Sequence, residues 1–200
     1  RQWLAAGIVV LVAVLIADGL WQGRMKAPVP EPSVSESPIP EATTTPASPT
    51  LKTPTSPIAK FPINPADTIV SWSFYGAYTG NDSLVAKANA DIAHLTDLIG
   101  KKSYDDYDLY IGLGNDANLM GDGKRAYENY SHSIFIHPQK GLAYDNLGHL
   151  MDELGAYHTA ADAYAKAVAV EPSVSQYRNA QIDFLTRRFP DEAARLKAKQ

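Results

Sequence analysis

The 200-residue chain contains no cysteine and has no excess of positive charge. Without cysteine it forms no disulfide, and this absence is compatible with either side of a membrane. The formal net charge is -4, and residues 61–200 hold 18 acidic against 13 basic side chains. Because a nucleic-acid-binding surface requires a basic stripe, this balance argues against a nucleic-acid partner. It is compatible with a basic partner.

The sequence also lacks a complete motif for catalysis or for metal binding. Residues 112–117 fit the loose G-x-G-x-x-A dinucleotide pattern, but no βαβ unit surrounds them. Residues 116–127 begin like an EF-hand loop, yet Met120 and Tyr127 stand where oxygen ligands are required. The five histidines form no H-E-x-x-H pattern. We therefore predict that the chain is not an enzyme and holds no cofactor or metal.

What the chain does contain is an internal repeat of 34 residues. Seven residues recur with the same identity 34 positions later: Tyr110, Leu113, Gly114, Gly121, Ala126, Tyr130 and Pro138 return as Tyr144, Leu147, Gly148, Gly155, Ala160, Tyr164 and Pro172. A fixed period of this length is typical of repeat proteins, in which each unit buries its apolar face against its neighbours.

The spacing inside each unit indicates two helices. Tyr110 and Leu113 lie three residues apart, on one face of a first helix. Gly121 follows about one helix length later, where the chain must turn. Gly114 and its counterpart Gly148 fall inside the first helices, where glycine costs about 1 kcal/mol relative to alanine. Two glycines at equivalent positions predict a close helix approach, with an aromatic side chain from the second helix filling the space.

The aromatic residue, the Leu-Gly pair, the small–aromatic–small series and the closing proline resemble the tetratricopeptide repeat. Residues 107–140 and 141–174 match its pattern throughout, and residues 175–200 form a partial unit. The resemblance implies an all-α fold, an antiparallel helix-pair solenoid over residues 82–200. A capping helix would begin it, and a short helix opened by Pro190 would end it. Because such repeats usually hold another protein, the resemblance also implies protein binding.

The resemblance further indicates which side chains face a partner. In this family the first helices line a concave groove that holds a peptide. The corresponding positions here include Asp108, Asn115, Asn118, Asp145, Asn146, His149, Asp152 and Asp183. Asn115 and Asn146 match the asparagines with which some members hold a C-terminal carboxylate. The basic residues of that clamp are missing, because Ile111, Gln176 and Ala180 stand at their positions.

No lysine or arginine stands at these groove positions, so we expect the partner segment to be neutral or basic. The alternative is that the same residues form only a solvated helix face, which is the usual surface of an amphipathic helix.

The N-terminal residues belong to a different physical class. Residues 3–20 are nearly all Ala, Val, Leu, Ile and Gly, with Asp18 as the one charge, and Trp3 and Trp21 flank the run. Eighteen such residues are enough for a transmembrane helix. A cleaved secretory signal is the rival interpretation. We expect residues 1–26 to be an uncleaved single-pass anchor that enters the membrane through residues 3–20.

Residues 27–60 hold nine prolines among Ser, Thr, Ala and Glu, with too few large apolar residues to fold. We predict a disordered linker. Arg24 and Lys26 after the apolar run favour a cytoplasmic domain, but stalks of this composition commonly lift a domain off the outer face of a membrane. We favour the outer, extracytoplasmic face. Residues 61–81 are predicted to be an extended arm, lying in the concave groove, or else an irregular first helix.

These observations leave three hypotheses for function. The first is a membrane-anchored adaptor or scaffold that binds a partner segment in the groove of its repeats. The second is an accessory or regulatory subunit of a membrane enzyme complex whose chemistry lies in another chain. The third is a structural unit that self-associates through an uncapped end of the solenoid.

Overall fold

The computed structural model describes residues 59–198, and this part of the chain is all-helical. The helices are α1 (Asp82–Leu98), α2 (Asp106–Leu119), α3 (Gly123–Ile136), α4 (Leu142–Glu153), α5 (Tyr157–Val170), α6 (Ser175–Arg188) and α7 (Pro190–Lys197). Within residues 59–198 there is no strand, and only an isolated antiparallel bridge joins Ser73 to Asp122. The predicted all-α class is confirmed for the described residues.

None of the helices in this described part is both long and apolar enough to span a bilayer. The predicted anchor at residues 3–20 and the predicted linker up to residue 58 lie outside the described residues.

Each helix packs chiefly against its neighbours in the chain. The contacts between α2 and α3 and between α4 and α5 are the most extensive, and α4 also packs against α3. Helices α2 and α4 touch directly, while α1 covers α2 and α7 covers α6. The predicted short helix at Pro190 is therefore present, and it covers the C-terminal side of the domain.

Two close glycine–tyrosine contacts fix the distance between the paired helices. A Cβ atom added to Gly114 in α2 would lie 2.4 Å from the ring of Tyr130 in α3. A Cβ added to Gly148 in α4 would lie 2.9 Å from the ring of Tyr164 in α5. Both tyrosines are buried, with 2% and 0% of their surface exposed. The prediction that an aromatic side chain fills the space at each glycine is confirmed.

The same turn follows both first helices. Gly121 and Gly155 have φ angles of 80° and 77°, in the left-handed region that favours glycine. The next amide, of Asp122 or Ala156, donates to a carbonyl oxygen five residues earlier, at 2.9 and 2.8 Å. This pattern satisfies carbonyl groups that a helix C-terminus otherwise leaves unpaired. The predicted turns at these glycines are correct.

The arm, residues 61–81, contains no helix, so the alternative of an irregular first helix is wrong. Its location differs from the predicted one as well. The Trp72 carbonyl accepts from the amide of Gly123 at 2.8 Å, and the Trp72 ring lies 5.1 Å from the ring of Tyr127. The amide of Tyr78 donates to the carbonyl of Leu119 at 2.8 Å. The arm therefore packs here on α3, on the α2–α3 turn and on the C-terminal end of α2.

One reason for this location is the N-terminus of α5, which has no capping side chain of its own. Its N-cap residue is Ala156, which offers no side-chain acceptor. The Asp67 carboxylate accepts instead from the backbone amides of His158 and Thr159, at 3.2 and 2.6 Å. A carboxylate at this end of a helix is also stabilised by the helix dipole. The arm thus supplies a cap that the local sequence of α5 lacks.

The ionisation of Asp67 follows from these contacts. Partial burial would raise the pKa of its carboxyl group, but the hydrogen bonds from Thr159 and His158 outweigh that effect and hold the pKa below its ordinary value. The charged form is therefore the one that the folded state stabilises.

We predict that Asp67→Ala lowers the free energy of unfolding by about 1–2 kcal/mol at pH 7, as for the loss of an N-cap. Because the pKa is depressed in the folded state, the difference from wild type is largest above about pH 4 and shrinks as the carboxyl group protonates. Urea denaturation between pH 3 and pH 7 measures it. The exposed Asp183→Ala is the matched control, and equal losses in both variants would contradict the capping role.

Candidate functional site

The predicted site residues lie on three successive first helices. Asp108, Asn115 and Asn118 are on α2, Asp145, Asn146, His149 and Asp152 are on α4, and Asp183 is on α6. Asp108, His149 and Asp183 are exposed, whereas the other five are partly buried. Asp108 and Asp183 take no part in the side-chain hydrogen bonds described within residues 59–198. The set is therefore not a uniform solvated face.

Asn115 and Asn146 are brought together by a hydrogen-bonded row. The side-chain oxygen of Asn115 accepts from the hydroxyl of Tyr130 at 2.9 Å and from Nδ2 of Asn146 at 3.2 Å. Because Tyr130 is buried, its hydroxyl holds the Asn115 side chain in place. The row connects α3, α2 and α4. Neither of these hydrogen bonds uses the Nδ2 donors of Asn115 or the side-chain oxygen of Asn146.

The second unit differs at the equivalent position. His149 stands 34 residues after Asn115, and its ring lies edge-on to Tyr164 at a centroid distance of 5.3 Å. The buried hydroxyl of Tyr164 has no hydrogen-bond partner among the described residues. Burial, together with the charges of Asp145 and Asp152, raises its pKa, so the hydroxyl stays protonated at neutral pH. An unpaired buried hydroxyl costs about 1–3 kcal/mol, which makes this part of the site a local weak point in the packing.

Two further predicted residues lie beside these groups. The side-chain oxygen of Asn118 is also buried without a partner in the described part of the chain. Nε2 of His149 lies 3.8 Å from Oδ2 of Asp145, one helical turn earlier on α4. The site therefore combines an amide row that joins α2 to α4 with unpaired polar atoms of Asn118 on α2 and Tyr164 on α5.

The sequence did not predict the pairing of Asp152 with two arginines. The carboxylate of Asp152 binds Nη1 of Arg187 at 2.9 Å and Nε of Arg188 at 2.8 Å, which joins α4 to α6. The spacing could have indicated this contact, because the two arginines follow Asp152 by 35 and 36 residues, which is close to the length of one repeat. The lining positions carry no basic residue, but Asp152 is neutralised from the next helix. The negative charge of the site rests chiefly on Asp108, Asp145 and Asp183.

A second polar cluster lies beside the site, between α1 and α2. Burial and the charge of Asp91 raise the pKa of Asp116 to about 6, although Lys87 acts in the opposite direction. The same two carboxylates add to the effect of burial in raising the pKa of Tyr78. Asp116 is adjacent to Asn115 in the chain, so its titration near neutral pH changes the charge next to the amide row.

One further surface feature is a cavity in which several polar groups already have partners. An open cavity of about 240 Å³ lies where α1 meets α2 and is lined by Gly100, Lys101, Lys102, Tyr104, Asp105 and Asp106. The amide of Gly100 already donates to Asp106 at 2.8 Å, and Lys140 pairs with Asp105 at 2.9 Å. Within residues 59–198, no group of three or more histidine, aspartate or glutamate side chains is placed to hold a metal ion.

Comparison of the chain with protein-family models, with curated proteins and with solved structures found no match.

We predict that Asp116→Asn stabilises the domain at pH 7.5 by about 1–2 kcal/mol, after allowance for its partial exposure. The folded pKa is raised above the unfolded one, so ionisation opposes folding fully above pH 6 and ceases to do so below about pH 4. Denaturant titrations from pH 4 to pH 8 should show the gain appear across that window. Asp183→Asn, an exposed carboxylate, is the control. A gain that does not depend on pH would show that the charge of Asp116 is not its cause.

Proposed function

We propose that this protein is a membrane-anchored adaptor of the tetratricopeptide-repeat type, which binds an extended segment of a partner protein along its first helices. The 34-residue recurrence supports the repeat assignment, and so does the repetition of the glycine–tyrosine contact in both units. The same turn geometry at Gly121 and Gly155 supports it further.

The observation that carries the proposed function is the amide row of Asn115 and Asn146. An extended peptide presents an N–H and a C=O at each residue, and both need hydrogen-bond partners when they leave water. The Nδ2 of Asn115 supplies a donor and the side-chain oxygen of Asn146 supplies an acceptor. Because the Tyr130 hydroxyl already holds Asn115, binding loses little side-chain freedom. Such a row binds a peptide backbone with little dependence on the partner's side chains.

The charge of the surrounding residues favours a neutral or basic segment. Asp108, Asp145 and Asp183 place carboxylates along the three first helices, and the α6 arginines neutralise Asp152. Charges of this kind steer association and select partners more than they add affinity, and salt screens their effect.

The attachment of the linker is compatible with a tethered adaptor. Lys60, near the start of the described residues, lies on the second-helix side, with Nζ 2.8 Å from the carboxylate of Glu128 in α3. The described part of the chain therefore begins beside α3. The proposed tether is the segment that precedes it, with residues 3–20 in the membrane.

We predict that Asn146→Ala weakens binding of the partner by about threefold to tenfold, equivalent to the loss of one net hydrogen bond of about 0.5–1.5 kcal/mol. The partner is first captured by the full chain from detergent-solubilised membranes, and its affinity is then measured by calorimetry. Asn179→Ala, an exposed asparagine on α6, is the matched control. Asn115→Ala is a poor test because it leaves the buried Tyr130 hydroxyl unpaired. Unchanged affinity in Asn146→Ala would place the contact surface elsewhere.

We predict that the full chain stays with the membrane after high-salt and carbonate washing, because an apolar helix across the bilayer is not released by either treatment. Protease added to intact cells should remove the domain if it faces outward. A soluble mature form that begins near Leu20 would show that the segment is a cleaved signal, and protection from the protease would place the domain on the cytoplasmic face.

A further inference from the structure

The first part of the arm contacts the helices at every third residue. Phe61, Asn64 and Asp67 are partly buried, and the pairs of residues between them are exposed. Because the partly buried residues recur at every third position, one side of the segment faces the protein and the other sides face solvent. The segment 61–67 is thus seated on the domain as a bound peptide would be.

Phe61 is held by α3 and α4. Its amide donates to the hydroxyl of Ser131 at 3.3 Å, and its carbonyl accepts from the hydroxyl of Tyr127. Its ring packs edge-on against Tyr144 at a centroid distance of 5.9 Å. Both backbone groups of the residue and its side chain are therefore bound. The preceding Lys60 adds an exposed ion pair with Glu128, which contributes little by itself.

Asn64 and Asp67 are held by the first turns of α5. The Thr159 hydroxyl accepts from the amide of Asn64 at 2.9 Å and donates to Asp67 at 2.6 Å, while the residue itself is fully buried. Nδ2 of Asn64 donates to Asp162 at 2.8 Å. One buried hydroxyl thus contacts two residues of the segment, and both of its hydrogen-bonding roles are used.

The segment has the local signals to adopt this shape by itself. The amide of Asp67 donates to the carbonyl of Asn64 at 2.9 Å, and the amide of Ala66 donates to the Asn64 side chain at 3.0 Å. Pro65 occupies the second position of this turn, where proline is favoured. Pro62 restricts the preceding extended stretch. A peptide that is already restricted in this way loses little entropy when it binds.

Most of the residues that connect the segment to the rest of the arm are exposed. Thr68 and Ser71 are exposed, and Val70 has 93% of its surface exposed. Between them, Ile69 is partly buried and packs against the core, as Trp72 does after them. The contacts of Phe61 and Asp67 join residues that lie 66 to 92 positions apart in the chain. The same segment from another molecule would make the same contacts.

We propose that the face formed by Tyr127, Ser131, Thr159 and Asp162 is a peptide-binding site, separate from the first-helix groove. Its ligand is an extended segment with phenylalanine, asparagine and aspartate at every third position. Residues 61–67 occupy the site within the chain, and the same segment of a second copy occupies it between chains. The intramolecular segment is present at a high effective concentration. The segment of a second copy therefore replaces it only when the intramolecular contacts are weakened or when the protein concentration is high. This inference stands whether or not the groove binds a partner.

The test uses the full chain in detergent micelles with the double change Asn64→Ala/Asp67→Ala, which weakens the intramolecular segment and leaves the site intact. The probe is a fluorescent peptide of residues 59–68, and fluorescence anisotropy measures its binding. The double variant should bind the peptide at least tenfold more tightly than the wild-type chain, whose site is filled. Adding Thr159→Val, or replacing the aspartate of the peptide by alanine, should abolish this gain.

Circular dichroism shows whether the double variant is folded. If it is unfolded, a protease site is inserted between Thr68 and Ser71 in the chain without the double change. Cutting that folded chain releases the segment, and the labelled peptide should then replace it. A folded variant or cut chain that binds no peptide would overturn the proposal, as would equal binding with and without Thr159→Val.

Exchange between copies is tested by mixing the Thr159→Val chain with the Asn64→Ala/Asp67→Ala chain. One supplies an intact segment and the other an intact site, so sedimentation should show a dimer in the mixture and monomers in each chain alone. Monomers in the mixture would overturn occupancy by a second copy.

Discussion

The contact between a glycine of one helix and a tyrosine ring of the next sets the geometry on which the rest of the domain depends. At Gly114 and Gly148 the absence of a Cβ lets the ring of Tyr130 or Tyr164 lie directly against the helix backbone. Glycine inside a helix is unfavourable by about 1 kcal/mol, and burial of a large aromatic side chain offsets that cost several-fold. In the first unit the same contact brings the Tyr130 hydroxyl to the side chain of Asn115. Packing and the proposed binding row are therefore consequences of one arrangement.

The two units use that arrangement differently. In the first unit the Tyr130 hydroxyl donates to Asn115, which in turn accepts from Asn146, so a buried group holds two surface amides. In the second unit His149 replaces the asparagine, and the Tyr164 hydroxyl is left without a partner in the described structure. A repeated fold thus carries one ordered polar row and one polar site that is not fully satisfied.

The features that could be predicted from the sequence are those in which spacing alone determines the contact. The Gly114–Tyr130 pair, the turn at Gly121 and the helix opened by Pro190 each depend on residues within one or two helices, and each was predicted correctly. The location of the arm was not, because the Asp67–Thr159 contact joins residues 92 positions apart and has no periodic signature. Local sequence shows that Ala156 is a poor helix cap, but it does not show which distant carboxylate replaces it.

The site was predictable to a similar extent. Repeat position placed Asn115 and Asn146 together, because α2 and α4 are equivalent helices in neighbouring units. The pairing of Asp152 with two arginines of α6 was missed, because their spacing of about one repeat indicates neighbouring helices but does not show that the side chains reach the carboxylate. Charge estimated from lining positions alone therefore overstated the negative character of the site.

The first-helix and second-helix sides of the domain carry different chemistry. The first-helix side offers amide and charged groups. The second-helix side offers hydroxyls of Tyr127, Ser131 and Thr159, and the chain's own segment engages each of them. A hydroxyl can donate and accept at once, so it suits the bare backbone of an extended segment. Because the N-terminal cap of α5 comes from this segment, helices α1–α7 without it would begin α5 with unpaired amides. The folding unit accordingly starts near Lys60, before the first helix, and the arm is part of the domain rather than an extension of the linker.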